Sequence, residues 1–247
     1  MHFKKRIFFP ILILITIFFF TCKSDIDCLK STGNNIIKNQ KVKPFKSITL
    51  MDNIDLEIYN MADSIVKIKA GENLINKIKI ENLGDELIIS NGNTCNWVRD
   101  LSHAVTVKIG INQNLLSINH KGYGKIISID TIHIPYLLIG SFESGGNFDL
   151  KINNNFISIY TNSHALINIE GKSEELNLRN DGIGRITAEK LKAKKINAKN
   201  DGSNEVRVFP IEKLIATITQ NGNILYYNEP KELIKSISGS GNLIKEF

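Results

Sequence analysis

From Phe45 onward, apolar and polar positions alternate in short runs with the period of two that half-buried strands require. The runs are Ser47 to Leu50, Ile54 to Tyr59, Ile65 to Ala70, Ile75 to Glu81, Glu86 to Ser90 and Val105 to Ile111. They are rich in Ile, Leu and Val and are separated by Asn, Gly and Asp turns. No stretch holds a period of 3.6 over three capped turns. Residues 23 to 43 are polar and aperiodic, and read as a tether ending near Pro44.

Beyond residue 116 a longer repeat is laid over the alternation. A turn followed by an inward apolar residue recurs as Gly122-Tyr-Gly-Lys-Ile126, Ser144-Gly-Gly-Asn-Phe148, Ser163-His-Ala-Leu-Ile167, Gly182-Ile-Gly-Arg-Ile186, Gly202-Ser-Asn-Glu-Val206, Gln220-Asn-Gly-Asn-Ile224 and Gly239-Ser-Gly-Asn-Leu243. The last residues of these units lie 22, 19, 19, 20, 18 and 19 apart. A second apolar column, Leu138, Ile157, Leu176, Ile196, Leu214 and Leu233, drifts in step with the first. Columns that share their insertions belong to coils laid one over another.

The expected fold is therefore all-β: a right-handed parallel β-helix of about seven rungs over 117–247, with 45–116 as an irregular N-terminal β cap. The hand follows the preference of parallel crossovers. A β-sandwich would account for the strand spacing but gives no reason for seven equivalent corners. Gly, Ser and Asn at those corners are expected to serve positive φ, and to avoid collisions with the coils above and below.

The N-terminal segment changes the picture from fold to address. Lys4, Lys5 and Arg6 precede an apolar run from Ile7 to Phe20, then Thr21, Cys22 and the polar Lys23, Ser24 and Asp25. This is the layout of a secretory signal over 1–21. As a helix the run would reach about 21 Å, short of a hydrocarbon core of about 30 Å. Phe19-Phe-Thr-Cys22 resembles a permissive lipobox, although Phe20 stands where a small residue is usual. The resemblance implies an acylated Cys22 as first mature residue, with 22–44 as lipidated cysteine and polar tether, and the membrane as a partner through the acyl chains. With Cys22 so used, Cys28 and Cys95 are the remaining thiols. In an oxidising compartment they are expected to form a disulfide, the alternative being two unpaired cysteines.

The formal charge of +6 contains three basic residues of the leader; without them 28 basic face 25 acidic residues, or +3. That balance does not point to nucleic acid. The acids Asp130, Asp149, Glu170, Glu189, Asp201 and Glu229 do not fall in one column, which argues against a glycan-cleaving centre. His103, His120, His133 and His164 show no zinc spacing and read as turn or surface residues, so no metal or other cofactor is expected. Asn180-Asp-Gly182 and Asn200-Asp-Gly202 occupy equivalent corners, but the coil has the wrong length for a calcium-binding nonapeptide roll; they read as turn formers. Trp97 and Tyr123 are the candidate recognition residues, with Trp97 also suited to packing in the cap, whereas Phe148 and Tyr226 fall in inward columns.

The Gly-Ser-Gly-Asn style corners, the closing Ile224-Leu-Tyr-Tyr-Asn-Glu-Pro230 and the Asn96-Trp-Val-Arg99 stretch resemble the head GIN domain family of putative autotransporter adhesins over 45–247. Ala165 and Asn204 depart from its glycine pattern. The resemblance implies a right-handed β-helix in an envelope protein of Bacteroidetes-type bacteria, often a lipoprotein, with no catalytic residues to carry over. The expectation is a lipid-anchored, non-enzymatic protein of the outer membrane, periplasmic or surface-exposed, whose partner is an envelope or extracellular glycan or protein. A carbohydrate-active enzyme and a structural scaffold are the rival readings.

Overall fold

The computed structural model describes residues 31–94 and 105–247, and the strands below belong to one compact unit within Thr32–Asn93 and Asp100–Phe247. In chain order they are β1 Asn35–Lys41, β2 Ser47–Asp52, β3 Ile54–Tyr59, β4 Ile65–Gly71, β5 Ile78–Leu83, β6 Glu86–Asn91, β7 Val105–Gly110, β8 Ser117–Gly122 and β9 Lys125–Ser128. They continue as β10 Ile132–His133, β11 Tyr136–Ser141, β12 Asn147–Thr161, β13 Leu166–Asn180, β14 Arg185–Asn200, β15 Val206–Ile218, β16 Ile224–Tyr226, β17 Glu232–Ile237 and β18 Leu243–Lys245. The only helical piece among the described residues is a 3₁₀ turn, Ile75–Lys77.

The strands form a parallel β-helix. On one face the order is β5, β6, β2, β8, β11, the C-terminal halves of β12 to β15, and β17. On the other it is β1, β4, β7, β3, β9, the N-terminal halves of β12 to β15, then β16 and β18. Every pairing within the stack is parallel; β1–β4, β4–β7 and β5–β6 are antiparallel.

Vertical registry holds the interior together. Leu56, Ile126, Phe148, Ile167, Ile186, Val206 and Ile224 stand one over the next, each fully buried. Rungs about 4.8 Å apart put successive branched side chains in van der Waals contact, so each residue fills the space its neighbour leaves. The second column runs through Leu137, Ile157, Leu176, Ile196 and Leu214. Leu138, expected there, instead pairs with Ser158 and faces outward. Two adjacent leucines allow either phase of the alternation, and the buried Ile139 and Ser141 fix it.

A third inward column is partly polar: Ile89, Leu50, His120, Ser141, Thr161, Asn180, Asn200 and Ile218. Its serine, threonine and asparagine side chains brace the corners from within. Ser141 Oγ lies 2.7 Å from Ser144 Oγ and 2.8 Å from Ser163 Oγ. Gly202 N donates to Asn200 Oδ1 at 3.1 Å, while Asn200 Nδ2 donates to the carbonyls of Asn204 and Asn223 at 2.9 and 3.0 Å. The Asn180 and Asn200 amides are therefore buried corner braces and not merely turn formers at the surface.

The corner glycines answer to close approach. A Cβ on Gly202 would stand 2.2 Å from the carbonyl oxygen of Gly182, and one on Gly241 2.2 Å from that of Gly222. Neither has positive φ; at the corners that conformation falls to Asp52 and Glu143 instead. Of the two reasons expected for corner glycine, contact between coils is the operative one here.

Two boundaries differ from the expectation. Residues 35–41, assigned to the tether, form β1 at the sheet edge, with Ile37 68% exposed. An edge strand wetted on both faces shows no apolar period, which hides it from a pattern search. Within the expected cap, β2 and β3 form a coil of the stack itself: β2 lies between β6 and β8, and β3 between β7 and β9. Only β1, β4 and β5 close that end in antiparallel fashion.

Candidate functional site

Alternation leaves three outward rows on the face that carries β11. One row is Tyr136, Phe156, Glu175, Lys195 and Lys213. The middle row is Ser117, Leu138, Ser158, Asn177, Asn197 and Ile215. The third is Asn119, Gly140, Tyr160, Arg179, Lys199 and Thr217.

Aromatic pairs wall the middle row on both sides. The rings of Tyr136 and Phe156 are 6.3 Å apart, and those of Phe142 and Tyr160 are 5.6 Å apart. Phe156 and Tyr160 are four residues apart on one strand, so the walls stand about 13 Å from each other. Phe142 folds over Gly140, where a Cβ would meet its ring at 2.3 Å. Arg179 covers the Tyr160 ring at 5.8 Å. Burial, then the Asp181 carboxylate, pushes the Tyr160 hydroxyl above its usual pKa, so at neutral pH it stays a neutral donor.

Beside Tyr160, between the middle and third rows, lies a shallow depression of about 510 Å³ lined by Ser158, Tyr160, Asn177, Arg179, Asn197, Lys199 and Thr217. A second of the same size, lined by Thr49, Glu86, Asn119, Lys121, Phe142 and Glu143, adjoins Phe142. The cations are matched locally: Arg179 to Asp181 at 2.8 Å and Lys199 to Asp201 at 2.6 Å.

A separate groove of about 350 Å³ gathers Asp149, Glu170 and Glu189 with Ser128, Asn168 and Thr187. The three carboxylates line one groove although they occupy different columns. Each faces a cation: Lys125 to Asp149 at 2.6 Å, Lys151 to Glu170 at 3.3 Å and Arg207 to Glu189 at 3.9 Å. Burial works to raise the Asp149 carboxyl, but bonds from Lys125 and Asn168 outweigh it and hold the group below its usual pKa. A carboxylate so held is a poor general base. Among the described residues no three His, Cys, Asp or Glu side chains form a metal-holding group.

His120, read as a turn or surface residue, is buried in the interior. Neither ring nitrogen has a hydrogen-bond partner, the ring meets Phe148 edge-on at 5.6 Å, and burial pushes its pKa down to about 4. It takes the inward place because Lys121 and Asn119 occupy the outward phase of β8. Tyr123 is 74% exposed at a corner, outside both depressions of the aromatic face. Cys22, Cys28, Cys95 and Trp97 lie outside the described residues. Sequence reading missed Tyr136, Phe142, Phe156 and Tyr160, together with Ser158, Asn177 and Asn197. The last three were legible as the residues directly after the inward Ile157, Leu176 and Ile196.

The family model described as "Putative auto-transporter adhesin, head GIN domain" matches residues 44–230. The chain belongs to this family. Solved structures share the fold. A putative adhesin from Bacteroides fragilis is 20% identical, with a TM-score of 0.77 and coverage of 86% of this chain and 97% of its own. A putative lipid binding protein from Parabacteroides distasonis is 22% identical, with a TM-score of 0.68 and coverage of 88% and 98%. A putative adhesin from Parabacteroides merdae is 18% identical, with a TM-score of 0.68 and the same coverages. No curated protein matches the chain. Among the described residues no helix is long and apolar enough to cross a membrane.

Proposed function

We propose that this GIN-domain protein is held in the cell envelope by acyl chains on Cys22 and presents the β11–β15 face as a binding or adhesion surface. The observation that carries this reading is the aromatic-walled row itself. The exposed Tyr136 ring, the half-buried rings of Phe142, Phe156 and Tyr160 and the polar side chains stand at fixed spacing on a backbone hydrogen-bonded on both edges, so little ordering is lost when a partner is met. Membership of an adhesin-like family supports the envelope setting. Lipidation rests on the basic, apolar and cysteine-ended leader. Binding without turnover is favoured because the groove lined by Asp149, Glu170 and Glu189 has each of them ion-paired.

The test is metabolic labelling with an alkynyl fatty acid in cells expressing the wild type or Cys22→Ala. The wild type should carry label and sediment with membranes, and the variant should do neither; equal membrane retention of both would reject the anchor. Beads coated with the protein should be retained by a surface array without consuming it, and release of glycan fragments would favour the enzyme instead. Cys28 and Cys95 are assigned as a disulfide, which non-reducing peptide mapping would show as one linked peptide.

A further inference from the structure

Resting on the reading of this face as a binding surface, we infer that its ligand is a neutral, extended saccharide lying along the stack, over the row Ser117, Leu138, Ser158, Asn177 and Asn197. Three observations lead there.

The first is unspent hydrogen bonding. The corner amides Asn180 and Asn200 are committed to backbone groups, whereas among the described residues Ser158, Asn177 and Asn197 have no side-chain hydrogen-bond partner. The coils of β12, β13 and β14 therefore each offer one hydroxyl or amide outward, and an amide can donate and accept to vicinal hydroxyls at once. The second is the walls. Tyr136 is 56% exposed and Leu138 49% exposed beside the half-buried Phe156 and Tyr160. Their apolar surfaces suit the C–H faces of sugar rings. The third is charge. Along one row Lys195 stands next to Glu175 and Lys213 is paired with Glu232, and along the other Arg179 and Lys199 are answered by Asp181 and Asp201. A polyanion would find no unpaired row of cations. The rung repeat of about 4.8 Å is close to the length of one unit in an extended polysaccharide, so successive sugars can meet successive coils in the same way. This is the registry of the core read from outside.

The experiment is affinity electrophoresis of the full-length protein in mild detergent, in gels containing hydroxyethylcellulose, arabinoxylan, galactomannan or dextran, with alginate as the polyanion. At least one neutral polymer should retard the wild type. Asn177→Leu with Asn197→Leu should weaken that retardation at least tenfold with an unchanged melting curve, and Tyr136→Ala should weaken it severalfold. Asn168→Leu, in the carboxylate groove, should leave it as it is. The inference is overturned if no neutral polymer retards the protein, if alginate alone does, or if the folded face variants migrate as wild type. Retention on a protein array that the face variants abolish, with no neutral polymer retarding the protein, would reject the saccharide while sparing the binding-surface reading; retention by neither the polymers nor the array would reject both.

Discussion

The two ends of the coil stack close their edges by different means. At the end that β1, β4 and β5 cover, chain reversal supplies antiparallel partners, and the apolar residues behind them, Val66, Ile68, Leu87 and Ile89, are fully buried. At the other end β17 and β18 have no strand over them among the described residues, and every residue of β17 is exposed. The coil beneath is nevertheless sealed, with Leu214, Ala216 and Ile218 inaccessible. The last coil serves as its own lid. Lys235 takes the place over Ala216, and Lys245 the place over Tyr226. Charges in core-facing positions make this edge a poor template for another strand. A stack can thus be ended by adding strands or by changing two side chains.

The comparison can be broken most directly by placing one charge at a core-facing position in mid-stack and one in the last coil. Ile186→Asp, in mid-stack, should cost about 4 kcal/mol or more and abolish a cooperative urea transition. Ile237→Asp, over Ile218 in the open coil, should cost about 1 kcal/mol or less, since its charge stays hydrated. Equal losses would mean the open coil is not open in solution.

Acid should find the interior next. The unfolded chain takes up a proton on histidine near pH 6.5, while folded His120 does so only near pH 4. Stability present at neutral pH is therefore lost as pH falls through that window, by about 3 kcal/mol. Urea denaturation at pH 7 and pH 4 should show this for the wild type, with a smaller pH dependence for His120→Gln. Asn200→Leu, which strands Gly202 N and the carbonyls of Asn204 and Asn223, should cost about 2 kcal/mol in the same assay. Lys235→Leu with Lys245→Leu should change folding stability by less than about 0.5 kcal/mol. It should nonetheless produce concentration-dependent association in sedimentation velocity; a variant that remains a single slow species would show that these lysines do not guard the end.

How far the sequence carried follows the same division. Where coils succeed one another in order, the period of the apolar residues named Phe148, Ile167, Ile186, Val206 and Ile224 as inward, and all are buried. Its one slip, Leu138 for Leu137, came from two leucines in succession. Around residues 35–91 the order along the stack departs from the order along the chain, and no one-dimensional period can report that β2 lies between β6 and β8. The polar inner column escaped for another reason. Ser141, Thr161, Asn180 and Asn200 are buried because they satisfy corner backbone, a role that composition assigns to the surface. The aromatic-walled face was hidden because outward residues carry no period of their own, and become a pattern only once the inward register is known.

The interleaving of β2 has a mechanical consequence. It is the first strand of the stack met from the N-terminal side, yet it is bonded along both edges. Once β1 has parted from β4, a pull transmitted through residues 31–46 must shear two parallel ladders at once, whereas a pull on Phe247 can unzip β18 and then β17 from one side. A protein fastened at its N-terminal side and loaded across its sheet would bear strain where it yields last.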